Sequence, residues 1–119
     1  MKMVFIDPWC NYTAATWGDK WLAPYPATDG AMAEAIAYTW ITEDTYDHWF
    51  IENKCQGFDE WKKHILGETD GVPKTPAWAE KLCGVKARDI IALAHEWAAK
   101  NTMLCTGSCL LYTSPSPRD

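Results

Sequence analysis

Apolar positions recur along the chain with two periods. Val4-Phe5-Ile6 is a short unbroken apolar run closed by Asp7-Pro8, which predicts a buried parallel strand. Asn11 to Gly18 predicts a short helix ended by Gly18-Asp19. Trp21-Leu22-Ala23 predicts a second strand, stopped by Pro24 and Pro26. The strongest helical pattern runs from about Asp29 to Thr42. There Met32, Ala35, Ile36, Thr39 and Trp40 share one face, and Thr28 or Asp29 is placed to cap the start. Short helices are predicted over 46–53 and 58–66, the latter after Gly57. Asp70-Gly71 marks a turn in the loop that follows. Thr75-Pro76 pairs an N-cap residue with a proline at the first helical position and opens a helix that ends near Gly84. A last helix over 87–100 turns Ile90, Ile91, Leu93, Ala94 and Trp97 inward, and Thr102 to Cys105 predicts a closing strand. Strands alternating with helices predict an α/β fold, a Rossmann-like, mostly parallel sheet with covering helices.

The chain has 119 residues, 48% of them hydrophobic, which is too apolar for disorder and sufficient for one small domain or a piece of a larger one. A net charge of -5 argues against binding a nucleic-acid backbone, which requires a basic face. No apolar run approaches the roughly 18 residues of a membrane span, so direct membrane insertion is not expected. Eight tryptophans are hard to bury in so short a chain. Either some are exposed or the chain packs against further protein. Apart from Cys109 in the C-terminal tail, the cysteines Cys10, Cys55, Cys83 and Cys105 are too far apart in sequence for zinc-knuckle spacing and read as small buried side chains in a reducing compartment.

The ends modify this picture. Met1 leads directly into the strand-like run, which fits either a buried first strand or an internal methionine mistaken for a start. Cys109 to Asp119 has neither helical nor strand period, and it matches a translated frame of a transposase adapter used in shotgun library preparation. Residues 109–119 are therefore expected to be non-native, leaving 1–108 as the natural segment.

Ligands of α/β sheets lie beyond the carboxyl ends of the strands. Two segments qualify. Asp7-Pro8-Trp9-Cys10-Asn11-Tyr12 follows the first strand and offers a carboxylate, an amide and a hydroxyl in one turn. Ala27-Thr28-Asp29 opens the long helix, where free N–H groups suit an anion. A carboxylate there also suits guanine, whose N1–H and N2–H2 are adjacent donors. As plain structural residues, Asp7 and Asp29 are a turn aspartate and a helix cap. His48, His64 and His95 are well separated and show no dyad partner, Glu43, Asp44 and Asp47 read as a solvated helix junction, and no catalytic or metal-ligating constellation emerges.

Several of these residues recur in one known pattern. Ile6-Asp7-Pro8, Thr13-Ala14, Asp19-Lys20-Trp21 and Pro26-Ala27-Thr28-Asp29, then Gly57-Phe58-Asp59, Asp70-Gly71 and Lys74-Thr75-Pro76-Ala77-Trp78-Ala79, resemble a segment of the molybdopterin oxidoreductases of dimethyl-sulfoxide-reductase type. The resemblance runs through nearly all of residues 3 to 107. It implies a bis(molybdopterin guanine dinucleotide) cofactor carrying molybdenum or tungsten. Asp7, Pro8, Trp9, Cys10, Asn11 and Tyr12 would line the dinucleotide, and Ala27, Thr28 and Asp29 would hold its guanosine end. It also implies that the metal's protein ligand lies upstream, with any iron–sulfur cluster, and that the partners are the rest of the catalytic subunit and an iron–sulfur electron-transfer subunit. Cytoplasm and periplasm of a bacterium or archaeon both remain open, and the segment alone is expected to be inactive. The family's usual arginine after Asp-Pro is Trp9 here, its threonine two further on is Asn11, and its glycine before Thr-Asp is Ala27. The Trp9-Cys10-Asn11 pattern points toward an acetylene-hydratase-like or transhydroxylase-like subgroup. A stand-alone nucleotide-binding module and a structural interaction module are the competing readings.

Overall fold

Two strands and six helices follow one another in the computed structural model, which describes residues 1–105. The order is β1 (Val4–Ile6), α1 (Tyr12–Trp17), β2 (Lys20–Leu22), α2 (Asp29–Thr42), α3 (His48–Lys54), α4 (Phe58–Leu66), α5 (Pro76–Cys83) and α6 (Ala87–Ala99). The strands pair in parallel, Val4 with Lys20, Phe5 with Trp21 and Ile6 with Leu22, with α1 as the crossover. The architecture is mixed helix with a small parallel sheet, compatible with the α/β class. The expected adapter segment, 109–119, lies outside the described residues.

Local chemistry sets the helix ends. Asn11 Oδ1 accepts from the Ala14 amide, Asp47 Oδ1 from Phe50 and Thr75 Oγ1 from Trp78, each opening a helix. Pro76 occupies the first turn of α5, and Gly84 ends it with φ 75°. An ideal Cβ on Gly84 would lie 2.7 Å from the Tyr25 ring. The loop between β2 and α2 therefore settles on the end of α5, where the Tyr25 amide also donates to the Cys83 carbonyl at 2.9 Å.

The core lies where α2 crosses α5 and α6. Met32, Ala35 and Ile36 meet Ala79, Cys83, Val85, Ile90 and Ala94, and Leu22 joins them from β2. Trp40 and Trp97 close one side edge-to-face, with centroids 5.3 Å apart, and the Trp40 indole donates to the Ala94 carbonyl at 2.8 Å. Each fully buried aliphatic side chain here contributes about 2 kcal/mol. Ion pairs fasten the sheet to α6: Lys2 Nζ to Glu96 at 2.6 Å and Lys20 Nζ to Asp89 at 2.5 Å.

Four expectations need correction. Residues 102–105 form no strand; Met103 and Leu104 are exposed, with no strand edge paired to them among the described residues. A strand requires a hydrogen-bonding neighbour, and apolar sequence does not supply one. β1 is half-buried rather than buried, and Ile6 is exposed, because the sheet has two strands and is not covered on both faces. Among the four cysteines of the described residues only Cys83 is buried; Cys55 is half-buried, and Cys10 and Cys105 are exposed. The apolar surface of α2 is wider than one face, since Ala37 and Ile41 are also buried, toward α3 and α4. As for tryptophan, Trp9, Trp17, Trp21, Trp49 and Trp61 are exposed.

Candidate functional site

Parallel pairing fixes where the candidate residues go. Both strands end at the same edge of the sheet, so Asp7 to Tyr12 and the loop leading to Ala27, Thr28 and Asp29 leave from one side.

Asp7 organises the first segment. Its amide donates to the Leu22 carbonyl at 3.1 Å, extending the ladder past β1. Its Oδ1 accepts from the Trp9 amide at 2.8 Å, the side-chain turn that aspartate favours. Its Oδ2 accepts from Asn11 Nδ2 at 3.4 Å, and its carbonyl accepts from Trp21 Nε1 at 2.8 Å. Asn11 in turn caps α1. The effect is to hold Pro8, Trp9, Cys10 and Tyr12 outward: all four are exposed, Trp9 at 76% and Tyr12 at 94%.

The second segment is shaped by Tyr25 and Ala27. Thr28 stands at the N-cap position of α2, yet its side chain does not cap. Its hydroxyl donates instead to the Tyr25 carbonyl at 2.6 Å. The expected Thr28 cap is thus absent, because the tighter turn onto Tyr25 takes the hydroxyl. The opening amides of α2 have no intrahelical partners, and no side chain caps them in place of Thr28. Asp29 is exposed in the first turn, and a Cβ on Gly30 would meet nothing within 4 Å, so the backbone is open in front of the helix. Ala27 has φ 63°, a left-handed conformation suited to glycine. That accounts physically for the glycine in the family pattern at this position.

The histidines have partners that the sequence did not show. His48 Nε2 lies 2.9 Å from Asp44, His95 Nε2 lies 2.7 Å from Glu43 and His64 Nε2 lies 3.6 Å from Glu34. Every carboxylate belongs to α2 or the turn after it: Asp44 is only four residues from His48, whereas Glu43 and Glu34 meet His95 and His64 through folding. All three histidines are at least a third exposed and line no shared cleft, which leaves them as surface pairs. Among the described residues no group of three or more His, Cys, Asp or Glu side chains is placed to hold a metal ion. No helix among them is long and apolar enough to cross a membrane.

The two segments offer different chemistry to the two ends of the dinucleotide that the resemblance implies. Exposed rings, an open helix start and an exposed carboxylate suit a guanosine. Neither segment contains a Lys or Arg to meet phosphate charge, and the nearby Lys20 is held by Asp89.

No protein-family model matches the chain. It is 52% identical over 107 residues to the pyrogallol hydroxytransferase large subunit of Pelobacter acidigallici, a match spanning 90% of this chain and 12% of that protein. It is 43% identical over 120 residues to the probable dimethyl sulfoxide reductase chain YnfF of Escherichia coli, covering 89% of this chain and 15% of the relative. Dimethyl sulfoxide/trimethylamine N-oxide reductase of Rhodobacter capsulatus is 41% identical over 106 residues, with 89% and 13% covered. Among solved structures, acetylene hydratase from Pelobacter acetylenicus superposes with a TM-score of 0.67 at 28% identity, over 78% of this chain and 12% of that one. The chain thus spans 12% to 15% of the length of these curated relatives.

Proposed function

The chain belongs to the molybdopterin oxidoreductases of dimethyl-sulfoxide-reductase type, and from that premise we propose that it is a segment of a catalytic subunit that holds the guanosine end of a molybdopterin guanine dinucleotide. The reading rests on one observation above the others. Parallel β1 and β2 deliver the Asp7 turn and the uncapped start of α2 to the same sheet edge. In a Rossmann-like sheet that edge is where nucleotides bind.

Each segment then has a task. Asp7 shapes the turn, and Pro8, Trp9, Cys10, Asn11 and Tyr12 form the wall along the dinucleotide. Trp9 and Tyr12 offer flat apolar surface to it. Ala27 and Thr28 set the backbone of the loop, and the Asp29 carboxylate accepts the two adjacent N–H donors of guanine. The cofactor, with its molybdenum or tungsten, would supply the redox or oxygen-transfer chemistry; this segment would bind and orient it. The cations that face its phosphates, the protein ligand of the metal and any iron–sulfur cluster belong to other parts of the subunit.

The test is a cofactor assay on the complete subunit. The full reading frame would be recovered and expressed with its cofactor. Metal would be counted by mass spectrometry, and guanine nucleotide after acid release. The expected wild-type subunit contains both. Asp29→Ala loses bound nucleotide on gel filtration while its circular dichroism is retained, and Asp29→Asn falls between. A wild-type subunit without guanine nucleotide, or an Asp29→Ala subunit that retains it fully, would overturn the proposal.

A further inference from the structure

Away from the sheet edge, α2, α3 and α4 enclose an apolar groove of about 440 Å³. Trp40, Ile41, Ile51, Cys55, Phe58 and Trp61 are among its walls. Tyr46 and Phe58 are held ring to ring at 5.2 Å, so the wall is built rather than collapsed. The helix at its edge is under-supported. α3 has seven residues, none of them buried, and presents Trp49 at 64% and Phe50 at 52% exposure. An isolated helix of that length is unstable in water unless a face packs against something. The groove also has a charged end. A neighbouring recess of about 410 Å³ shares Ile51, Cys55, Gly57 and Phe58 with it and is bounded by Glu52, Asp59 and Glu60. Among the described residues none of these three carboxylates has an ion-pair partner. Two neighbouring lysines lie over rings, Lys54 over Trp49 and Lys62 over Tyr46.

We infer that this groove seats an apolar segment from elsewhere in the same catalytic subunit, and that the segment carries a lysine or arginine against Glu52, Asp59 and Glu60. The inference rests on the reading of the chain as part of a longer subunit. Its matches span only 12% to 15% of the relatives, so most of such a polypeptide lies outside this chain and is available to cover the groove. The acidic end selects a basic occupant. It disfavours a second copy of this chain, because a two-fold contact would set the same acidic rims against each other on chains that already carry a net charge of -5. A small-molecule ligand is disfavoured as well, since the groove is almost wholly apolar and Tyr46 and Gln56 offer little polar surface to orient one.

Cys55 reports on the groove directly. The experiment compares the rate of maleimide labelling of its peptide, by mass spectrometry, in the 119-residue chain and in the complete subunit. Buried Cys83 serves as the control for folding in both samples. Labelling of Cys55 is expected to be at least tenfold slower in the complete subunit, and no slower in the short chain as its concentration rises. A photo-cross-linking residue in place of Trp61 should capture a Lys- or Arg-containing peptide from the same polypeptide, outside 1–108. Equal labelling of Cys55 in both samples would overturn the inference. So would protection of the short chain by its own concentration, or a cross-link to a second copy or to another subunit. Metal and guanine nucleotide counted in the same sample separate the two failures. Cofactor present with Cys55 open sinks the groove assignment alone, whereas a subunit without cofactor sinks the functional reading.

Discussion

The indole N–H of Trp21 donates to the main-chain carbonyl of Asp7 at 2.8 Å and ties the end of β2 to the turn that leaves β1. The same Asp7 carries the Trp9 amide on its side chain, so one residue sets the turn and is itself set by the neighbouring strand. Trp21→Phe keeps most of the ring and removes the donor. The expected cost is about 1 kcal/mol in urea unfolding, the usual net value of one hydrogen bond. Exchange of the Trp9 amide should also accelerate. An unchanged exchange rate would mean that Asp7 holds the turn without help from β2.

Ala27 offers the opposite sign. At φ 63° its methyl group is sterically opposed. Ala27→Gly is expected to raise stability by about 1 kcal/mol, since relief in the folded state outweighs the added freedom of the unfolded chain. Ala27→Val should lower it by more than that, because branching at Cβ makes a positive φ worse. Urea midpoints of the two variants on opposite sides of wild type would bear this out; both below it would place the native backbone elsewhere.

The pairs that fasten the sheet to α6 set an acid limit. Glu96 lies between Lys100 and Lys2, whose ammonium groups donate to it and hold its carboxyl at about 2, well below its ordinary 4.5. Lys20 lowers Asp89 in the same manner. For a carboxyl lowered in the folded state, the stabilisation is present above the unfolded value and is lost as pH falls from about 4.5 toward 2. The unfolding midpoint should therefore be flat above pH 5 and decline below it, and Lys2→Ala should shallow that decline. An equally steep decline in Lys2→Ala would assign the acid limit to other carboxylates.

Lys74 is almost fully buried, with its ammonium on Asp70 and on the Val72 carbonyl and 5.2 Å from the centre of the Trp78 ring. Asp70 is held below its ordinary value chiefly by that lysine, then by the Val72 amide. The two ends of this pair are not equivalent. Asp70→Asn leaves a buried cation without its counter-charge, whereas Lys74→Met keeps the packed stem and leaves a carboxylate that water can reach. Asp70→Asn should lower the thermal midpoint more than Lys74→Met does. The reverse order would show that the ammonium is satisfied by Val72 and the ring alone.

These relationships divide by how local they are. The start of α5 was legible because Thr75 caps within three residues of itself and Pro76 follows it, whereas the caps at Asn11 and Asp47 emerged only from the structure. Gly57 and Gly84 marked helix ends through a backbone conformation that glycine adopts without cost. The two segments of the candidate site were legible because each follows a short apolar strand. What the sequence concealed depends on contacts across the chain. Ile41 and Ala37 are buried because α3 and α4 return beside α2, which a single helical period does not reveal. His95 finds Glu43 only once α6 lies against α2. Thr28 has the right chemistry for a cap, and only the close turn onto Tyr25 diverts its hydroxyl. Residues 102–105 have the composition of a strand, yet composition says nothing about whether a neighbouring edge is present.

Trp9 and Tyr12 separate binding from folding. Their side chains stand in solvent, so truncation removes little packing: Trp9→Ala and Tyr12→Ala should each change urea stability by no more than about 0.5 kcal/mol. If these rings form the wall along the dinucleotide, the double variant of the complete subunit should release guanine nucleotide faster than wild type during dialysis, with an unfolding curve of the apo-protein that is unaltered. Loss of nucleotide together with a lower apo-protein midpoint would make the rings structural. Full retention of nucleotide would remove Trp9 and Tyr12 from the site and leave Asp29 and the open start of α2 to carry it.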